Sequence, residues 1–176
     1  MQSFDIRDIP SQPWVNGAGT RQELAISTQT GTPWRLSTAQ IDRDCPFSTY
    51  PGLARLHVII AGMGTHLSGA GVDLDAAPLV PVAFDGEIPL ECRLKDGPCT
   101  ALNVIFDPAR IRADLTVLTA GAHEMAARDL AVFCVSGTAS VQGETLLPGQ
   151  GAVVAGETVI VVGADAQALC AQLDPV

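Results

Sequence analysis

The chain has 176 residues, of which 47% are hydrophobic and only 16% charged, so we expect one folded domain or two small fused halves rather than disorder. Its net charge is −9, from 10 basic and 19 acidic residues. Such a charge repels phosphate backbones and anionic membrane surfaces, which excludes nucleic acid and membranes as expected partners.

Five cysteines are dispersed without Cys-x-x-Cys spacing, at Cys45, Cys92, Cys99, Cys134 and Cys170. An odd, scattered set is typical of reduced, buried thiols rather than of a disulfide framework. The first residues lack the regions of a secretory signal, and no apolar stretch reaches the roughly 18 residues that span a bilayer. We therefore expect a cytoplasmic protein.

The first third of the chain contains a strand with one polar face. Alternation over residues 34–41 places Arg35 and Ser37 on one side and apolar side chains on the other. A glycine-rich polar loop at residues 14–23 precedes this strand, and a turn at residues 45–52 follows it. This third is expected to direct polar groups into a cavity inside a β-barrel.

The rest of the chain is a series of short apolar runs separated by Gly, Pro and Asp turns: residues 56–61, 79–84, 101–106, 130–135, 152–154 and 158–162. Many short strands at this spacing indicate an all-β sandwich or barrel. Helix is scarce, and only residues 109–115 and 124–128 are expected to form a turn or two.

An internal repeat divides the chain. Residues 55–62, 84–87 and 101–107 match residues 129–137, 154–157 and 168–174 in the same order. Strand, turn, strand, Gly-Glu turn, strand, strand is the order of elements expected of a cupin-like jelly-roll half. Chance similarity among Val- and Gly-rich strands is the alternative explanation of the repeat. We predict an all-β bicupin, with residues 1–108 as the half carrying the pocket and residues 109–176 as a degenerate half, together one compact unit.

The two copies of the repeat differ in polarity. The first holds polar side chains where the second has small or apolar ones: His57, His66, Arg93 and Asn103. For example, Ala131 lies near the position of His57, and Cys170 matches Asn103. Since buried polar groups are costly unless paired, a working pocket is expected in the first half.

Residues 4–107 resemble the HutD/Ves family of bacterial bicupins through an ordered series of motifs: Trp14-x-Asn16-x-x-Gly19, Glu23-Leu24, Trp34-Arg35-Leu36-Ser37-x-Ala39-x-Ile41, Pro46-Phe47-Ser48-x-Tyr50-Pro51-Gly52-x-x-Arg55, and Gly97-Pro98 followed by Asn103. The resemblance implies a cytoplasmic bicupin without a known enzyme activity. One branch of the family is associated with histidine-utilisation operons. Members are thought to bind a small carboxylate such as a pathway intermediate.

Three departures from the family pattern concern charged residues. Arg21 stands at the Thr position of the family's Thr-Arg-Glu, and Ala101 stands where the family has Asp. The arginine that normally follows that strand is absent, and Asp107 lies nearby instead. With fewer fixed charges, the ligand of this chain can differ from that of the family.

The histidines do not follow the common cupin metal pattern, which has two histidines one residue apart, then a glutamate and a later histidine. His57 and His66 are nine residues apart, and His123 lies between the halves. We therefore expect no metal and no cofactor. His57 is interpreted as a core or pocket histidine, and His66 as an exposed one.

Seven residues are the candidates for ligand binding: Asn16, Glu23, Arg35, Ser37, Arg55, His57 and Asn103. Arg35 and Arg55 can hold a carboxylate through paired N–H donors. Their alternative role is a salt bridge inside the barrel, to Glu23 or Asp42. No catalytic residue is assigned.

The sequence thus predicts a non-enzymatic bicupin that binds a small polar or carboxylated metabolite and modulates histidine or amino-acid utilisation or a stress response, with a homodimer as one assembly it can form. One alternative is a metal-free cupin isomerase or epimerase that uses Glu23 or His57 as acid–base. The other is an oligomeric interaction module built on exposed sheet edges.

Overall fold

The computed structural model describes residues 1–14 and 17–176, and its strands are β1 Gln2–Asp5, β2 Gln12–Pro13, β3 Gly19–Ile26, β4 Trp34–Ile41, β5 Cys45–Pro46, β6 Ala54–Ala61, β7 Thr65–Gly69, β8 Val72–Ala76, β9 Val82–Asp85, β10 Glu91–Leu94, β11 Cys99–Phe106, β12 Ile111–Leu118, β13 Gly121–Ser136, β14 Ala139–Val141, β15 Glu144–Leu146, β16 Gln150–Val162 and β17 Gln167–Pro175. A 3-10 helix spans Ile6–Asp8. The predicted all-β class is confirmed. No helix in these described ranges is long and apolar enough to cross a membrane.

The two short helical turns expected from the sequence are wrong. Residues 109–115 lead into and form part of β12, and residues 124–128 lie inside the long strand β13. Their helix-favouring Ala, Arg and Glu side chains are overridden by ladder pairing, since β12 pairs with β17 and β13 pairs with both β16 and β17.

The described residues divide into two units, here called the N-terminal unit (Pro10–Pro108) and the C-terminal unit (Ala109–Val176 together with Met1–Ile9). The first nine residues, assigned from the sequence to the first half, belong to the second unit because β1 pairs antiparallel with β16. Asp5 at the end of β1 accepts a hydrogen bond from Gln150 Nε2 at 3.0 Å.

The N-terminal unit consists of two sheets, a six-stranded one in the order β2-β3-β4-β11-β6-β9 and a four-stranded one in the order β5-β10-β7-β8. On β4, Trp34 and Leu36 are buried, while Arg35 and Ser37 are only partly covered, as the alternation predicts. The register sets Ser37 opposite both Glu23 on β3 and Asn103 on β11. Polar side chains from neighbouring strands therefore share one face.

The C-terminal unit is a sheet in the order β12-β17-β13-β16-β14-β15, with β1 added on β16. Its β12-β17-β13-β16 portion has the same arrangement as β4-β11-β6-β9 in the N-terminal unit. The three pairs of repeated segments lie on corresponding strands: β6 and β13, β9 and β16, β11 and β17. The sequence repeat therefore corresponds to a repeated strand order.

Candidate functional site

A cavity of about 440 Å³ opens in the N-terminal unit, within the size range of small-molecule sites. It is lined by Pro13, Trp14, Arg21, Glu23, Arg35, Ser37, Ala39, Pro46, Phe47, Ser48, Tyr50, Arg55, Asn103 and Ile105. Three arginines and one glutamate among them give this wall a net positive charge, in a chain whose net charge is −9.

Strand register explains why these side chains meet. One cross-strand row runs from Ser37 through Asn103 to His57, because β11 pairs with β4 on one side and with β6 on the other. The next row runs from Arg35 through Ile105 to Arg55. Directly opposed side chains in an antiparallel ladder lie on the same face, so both rows face the interior of the unit.

A backbone hydrogen bond joins Trp14 to Gly19, the first residue of β3. The N–H of Trp14 donates to the carbonyl of Gly19 at 2.9 Å, and Trp14 lines the cavity. Gly19 has no room for a side chain, since a Cβ there would lie 1.9 Å from the carbonyl oxygen of Gln40. Of the first family motif, Trp14 therefore lines the cavity, and Gly19 holds the backbone of Trp14 through this hydrogen bond.

Two buried side chains, Arg55 and His57, share one hydrogen-bond acceptor, the Oδ1 atom of the buried Asn103. Arg55 donates to Asn103 Oδ1 from Nε at 2.9 Å and from Nη2 at 2.8 Å, and His57 Nδ1 lies 2.8 Å from the same oxygen. A guanidinium only donates and a carbonyl oxygen only accepts, so His57 must donate through Nδ1–H.

The same arrangement determines the charge state of His57. Burial and the neighbouring positive charge of Arg55 lower the pKa of His57 to about 3, so its ring is neutral near pH 7. With the proton on Nδ1, Nε2 carries a lone pair, and no partner for Nε2 is found among the described residues.

Arg55 is a cation buried among aromatic rings. It is 7% exposed, and its guanidinium carbon lies 4.6 Å from the centre of the Phe47 ring and 5.5 Å from that of Phe84. Burial lowers the pKa of Arg55 to about 10, which still leaves it charged at neutral pH. In the part of the chain that the structure describes, no carboxylate forms an ion pair with it.

Arg35 is the second cation of the cavity and is half-buried. Its guanidinium carbon lies 5.0 Å from the centre of the Tyr50 ring, and that of Arg55 lies 5.9 Å from the same ring. The salt bridges to Glu23 or Asp42 that were the alternative role of both arginines are not found within residues 1–14 and 17–176. Two guanidinium groups thus flank one tyrosine, and neither forms an ion pair with an acidic side chain among the described residues.

Of the seven predicted site residues, five line the cavity: Glu23, Arg35, Ser37, Arg55 and Asn103. His57 does not line it, because its ring is fully buried and its Nδ1 is bonded to Asn103. Asn16 lies outside the described residues.

Sequence reasoning missed the aromatic part of the wall. Trp14, Phe47 and Tyr50 all line the cavity, and Tyr50 contacts both arginines. The available signal was the Pro46-Phe47-Ser48-x-Tyr50 segment of the family motif, which contributes four lining residues. Arg21, whose position departs from the family pattern, also lines the cavity.

His66, His123 and the five cysteines are not among the described residues that line the cavity. Across the described ranges, no group of three or more His, Cys, Asp or Glu side chains could hold a metal ion. His66 pairs with Asp73 rather than lying free, and His123 bonds to the carbonyl of Thr119 at 2.7 Å. All five thiols are free and buried, and burial raises the pKa of Cys92 to about 12.

Comparison with known proteins identifies the family. The model of the HutD family matches residues 6–172. The chain belongs to the HutD family. This HutD-family chain is 30% identical over 161 residues to protein Ves of Escherichia fergusonii, covering 86% of the chain and 82% of Ves. It is 35% identical over 121 residues to an uncharacterized 21.2 kDa protein in the hutC 3' region of Pseudomonas putida, covering 65% of the chain but only 63% of that protein.

Solved structures agree with this assignment. HutD from Pseudomonas fluorescens SBW25 (formate condition) superposes with a TM-score of 0.89 at 28% identity, covering 99% of this HutD-family chain and 98% of that one. Oxalate decarboxylase of Bacillus subtilis matches with a TM-score of 0.71 at 9% identity, covering the whole chain and 78% of the enzyme. At that identity the likeness concerns the fold alone, and it confirms the predicted cupin-like architecture.

Proposed function

We propose that this HutD-family chain is a non-enzymatic binding protein for a small carboxylate, which occupies the cavity of the N-terminal unit. The observation that carries the proposal is Arg55, a buried cation without an acidic partner among the described residues. An unpaired buried charge is costly, and a bound carboxylate supplies the missing partner through charge-assisted hydrogen bonds.

The remaining lining residues suit the same ligand. Arg35 and Arg55 flank Tyr50, so both can reach a small anion bound between them. Ser37 offers a hydroxyl from the same face of β4 as Arg35. Glu23 at the exposed rim suits a positively charged or N–H-bearing part of the ligand, and it therefore favours a metabolite with both an anionic and a donor group.

A role without catalysis is supported by how the acid–base candidates are used. His57 lies outside the cavity wall, its Nδ1 proton is bonded to Asn103, and its low pKa makes it a weak base. Among the described residues that line the cavity, Glu23 is the one carboxylate, and the other charged groups are arginines.

The names of the relatives suggest the pathway. Two relatives have Hut names, HutD of P. fluorescens and the hutC-region protein of P. putida. One branch of the family is associated with histidine-utilisation operons, and we extend that association to this chain as a proposal. The ligand would then be a carboxylated compound of amino-acid breakdown whose level modulates the pathway. Free, buried cysteines support the accompanying proposal that the protein acts in the cytoplasm.

The test is calorimetric titration with urocanate, formylglutamate, glutamate and histidine. We expect at least one to bind, and Arg35→Ala to raise its Kd about tenfold, as the loss of one charge-assisted contact does. Arg112→Ala is the matched control, since Arg112 is exposed on β12 in the C-terminal unit. Absence of binding by all four compounds, or equal effects of the two variants, would contradict the proposal.

A further inference from the structure

We propose that Asn103 and His57 are positioning residues that hold Arg55 with its charge intact and one edge of its guanidinium free, so that the cavity selects a planar carboxylate at that edge. This inference rests on the proposed function, because it describes how the same cavity chooses its anion. It assigns a role to two side chains whose contacts serve Arg55 rather than the ligand directly.

Residue 103 carries an amide rather than a carboxylate. An amide oxygen accepts hydrogen bonds without carrying a full negative charge, so Asn103 orients Arg55 and leaves its positive charge available. An aspartate in the same place would make the same two hydrogen bonds but would neutralise the guanidinium. Only the neutral residue combines a fixed position with a free charge.

Asn103 occupies only one edge of the Arg55 guanidinium. A guanidinium has five N–H groups, and Asn103 Oδ1 occupies one on Nε and one on Nη2. No partner among the described residues is found for the other three, and Arg55 lines the cavity. Two of these three groups, one on Nη1 and one on Nη2, form the Nη1–Nη2 edge, whose two parallel N–H bonds match the two oxygens of a carboxylate.

Three aromatic rings lie close to the Arg55 guanidinium. The rings of Phe47, Tyr50 and Phe84 lie between 4.6 and 5.9 Å from the guanidinium carbon, so aromatic surface surrounds the cation. Such contacts stabilise the positive charge without donating or accepting hydrogen bonds at the edge. An anion therefore gains most by approaching in the plane of the guanidinium.

His57 fixes the orientation of the Asn103 amide. Its Nδ1–H is a third donor to Asn103 Oδ1, and turning the amide over would set the Asn103 NH₂ group against three donors. The imidazole ring is itself held by an edge-on contact with Phe47, with ring centres 5.6 Å apart. His57 thus fixes the orientation of the Asn103 amide, and the amide in turn fixes the position of Arg55. Because the His57 ring is neutral, it adds no second positive charge beside Arg55.

Nuclear magnetic resonance of the full chain tests the resting geometry without any ligand. The Nε–H of Arg55 is expected to give a resonance protected from exchange in the free wild type and to lose that protection in Asn103→Ala. The signal can be assigned by its absence in Arg55→Lys. An unprotected Arg55 Nε–H in the wild type would overturn the proposal even if Asn103→Ala failed to fold.

Binding is then measured with sodium formate as the probe, against sodium chloride at equal ionic strength. Asn103→Asp should weaken formate binding about a hundredfold while the melting temperature is kept or raised, because the new ion pair stabilises the fold but removes the free charge. Gln2→Glu is the control, an equal change of charge on an exposed residue of β1 in the C-terminal unit. Unchanged formate affinity in Asn103→Asp, or chloride binding as tight as formate binding, would overturn the proposal.

His57 is tested by a pair of variants of similar size. His57→Asn retains an N–H donor near the position of Nδ1, whereas His57→Leu has none, so His57→Leu should lose about tenfold in formate affinity and His57→Asn should recover most of it. If both bind equally, His57 has only a packing role. Should the wild type bind no carboxylate at all, the proposed function fails, while the exchange measurement still decides whether Asn103 positions Arg55.

Discussion

The two units share the order of four strands, but the matching strands carry buried polar side chains in the N-terminal unit and apolar ones in the C-terminal unit. In the N-terminal unit, Arg55 and His57 on β6 meet Asn103 on β11. At the corresponding place in the C-terminal unit, Val132 on β13 lies opposite Cys170 on β17, one residue away from the Ala131 suggested by the sequence repeat. The interior of that unit is an apolar cluster that includes Leu130, Val132 and Cys170.

The comparison separates what the fold needs from what binding needs. The C-terminal unit shows that this arrangement of strands packs well around aliphatic side chains and a thiol whose pKa is raised to about 12 by burial. The fold therefore does not require the polar cluster of the N-terminal unit. Because burying charge costs free energy that aliphatic packing does not, Arg55 and its partners are best explained by a ligand.

The largest expected effect on ligand binding comes from replacing Arg55 by an apolar residue, which makes the interior of the N-terminal unit more like that of the C-terminal unit. Arg55→Met replaces the buried cation by an apolar side chain of similar length, and we expect carboxylate binding to weaken by more than about a hundredfold. The melting temperature of the ligand-free protein should stay the same or rise, because the desolvation cost disappears. Calorimetric titration with formate and a thermal unfolding curve measure the two.

The opposite pattern would break the comparison. If Arg55→Met unfolds the protein while Arg35→Ala leaves binding intact, the cation is part of the folding core rather than of a binding site. Arg128→Met on β13 serves as a control for loss of one exposed arginine in the C-terminal unit.

How much of this could be read from the sequence differs between the levels of structure. The alternation at Arg35 and Ser37 and the repeat of three segments predicted the polar face and the paired strand order, because both are local patterns with a fixed period. The pairing of β1 with β16 could not be predicted, since it joins residues nearly 150 positions apart through backbone groups that every residue carries.

Among the residues that line the cavity, the sequence singled out charged ones and did not single out the aromatic ones. Arg35 and Arg55 stand out because a buried cation needs an explanation, whereas Phe47 and Tyr50 resemble ordinary core residues in a sequence. His57 is predicted to belong to the ligand-binding set because the second copy of the repeat has the small Ala131 near its position. Only the 2.8 Å contact with Asn103 reveals that it lies behind the cavity wall.

Acid should destabilise the protein through His57, and the C-terminal unit has no such group at the matching position. The pKa of His57 falls from 6.5 in the unfolded chain to about 3 in the folded one, so the unfolded chain takes up the proton first as the pH drops. The free energy of unfolding should therefore decrease by about 1.4 kcal/mol per pH unit between pH 6 and 4.5.

Urea denaturation at several pH values measures this slope, and His57→Leu should flatten it. The pH window from 4.5 to 6 lies above the usual range for Asp titration. The carboxylate of Asp5 is bonded to Arg7 and Gln150, and these bonds lower the pKa of Asp5 further, so that its titration is separate from that of His57. An equal slope in wild type and His57→Leu would show that His57 is not held neutral by its surroundings.

The smallest effect is expected from carrying a polar residue into the C-terminal unit. Cys170→Asn places an amide opposite Val132, where neither an arginine nor a histidine is available to bond with it. The unpaired amide should cost about 2 kcal/mol of unfolding free energy in urea denaturation while formate binding stays unchanged. Cys170→Ala, which removes the thiol without adding a polar group, should cost less than Cys170→Asn. If Cys170→Asn were as stable as Cys170→Ala, the apolar interior would tolerate polar groups freely, and the cluster around Asn103 would need no ligand to explain it.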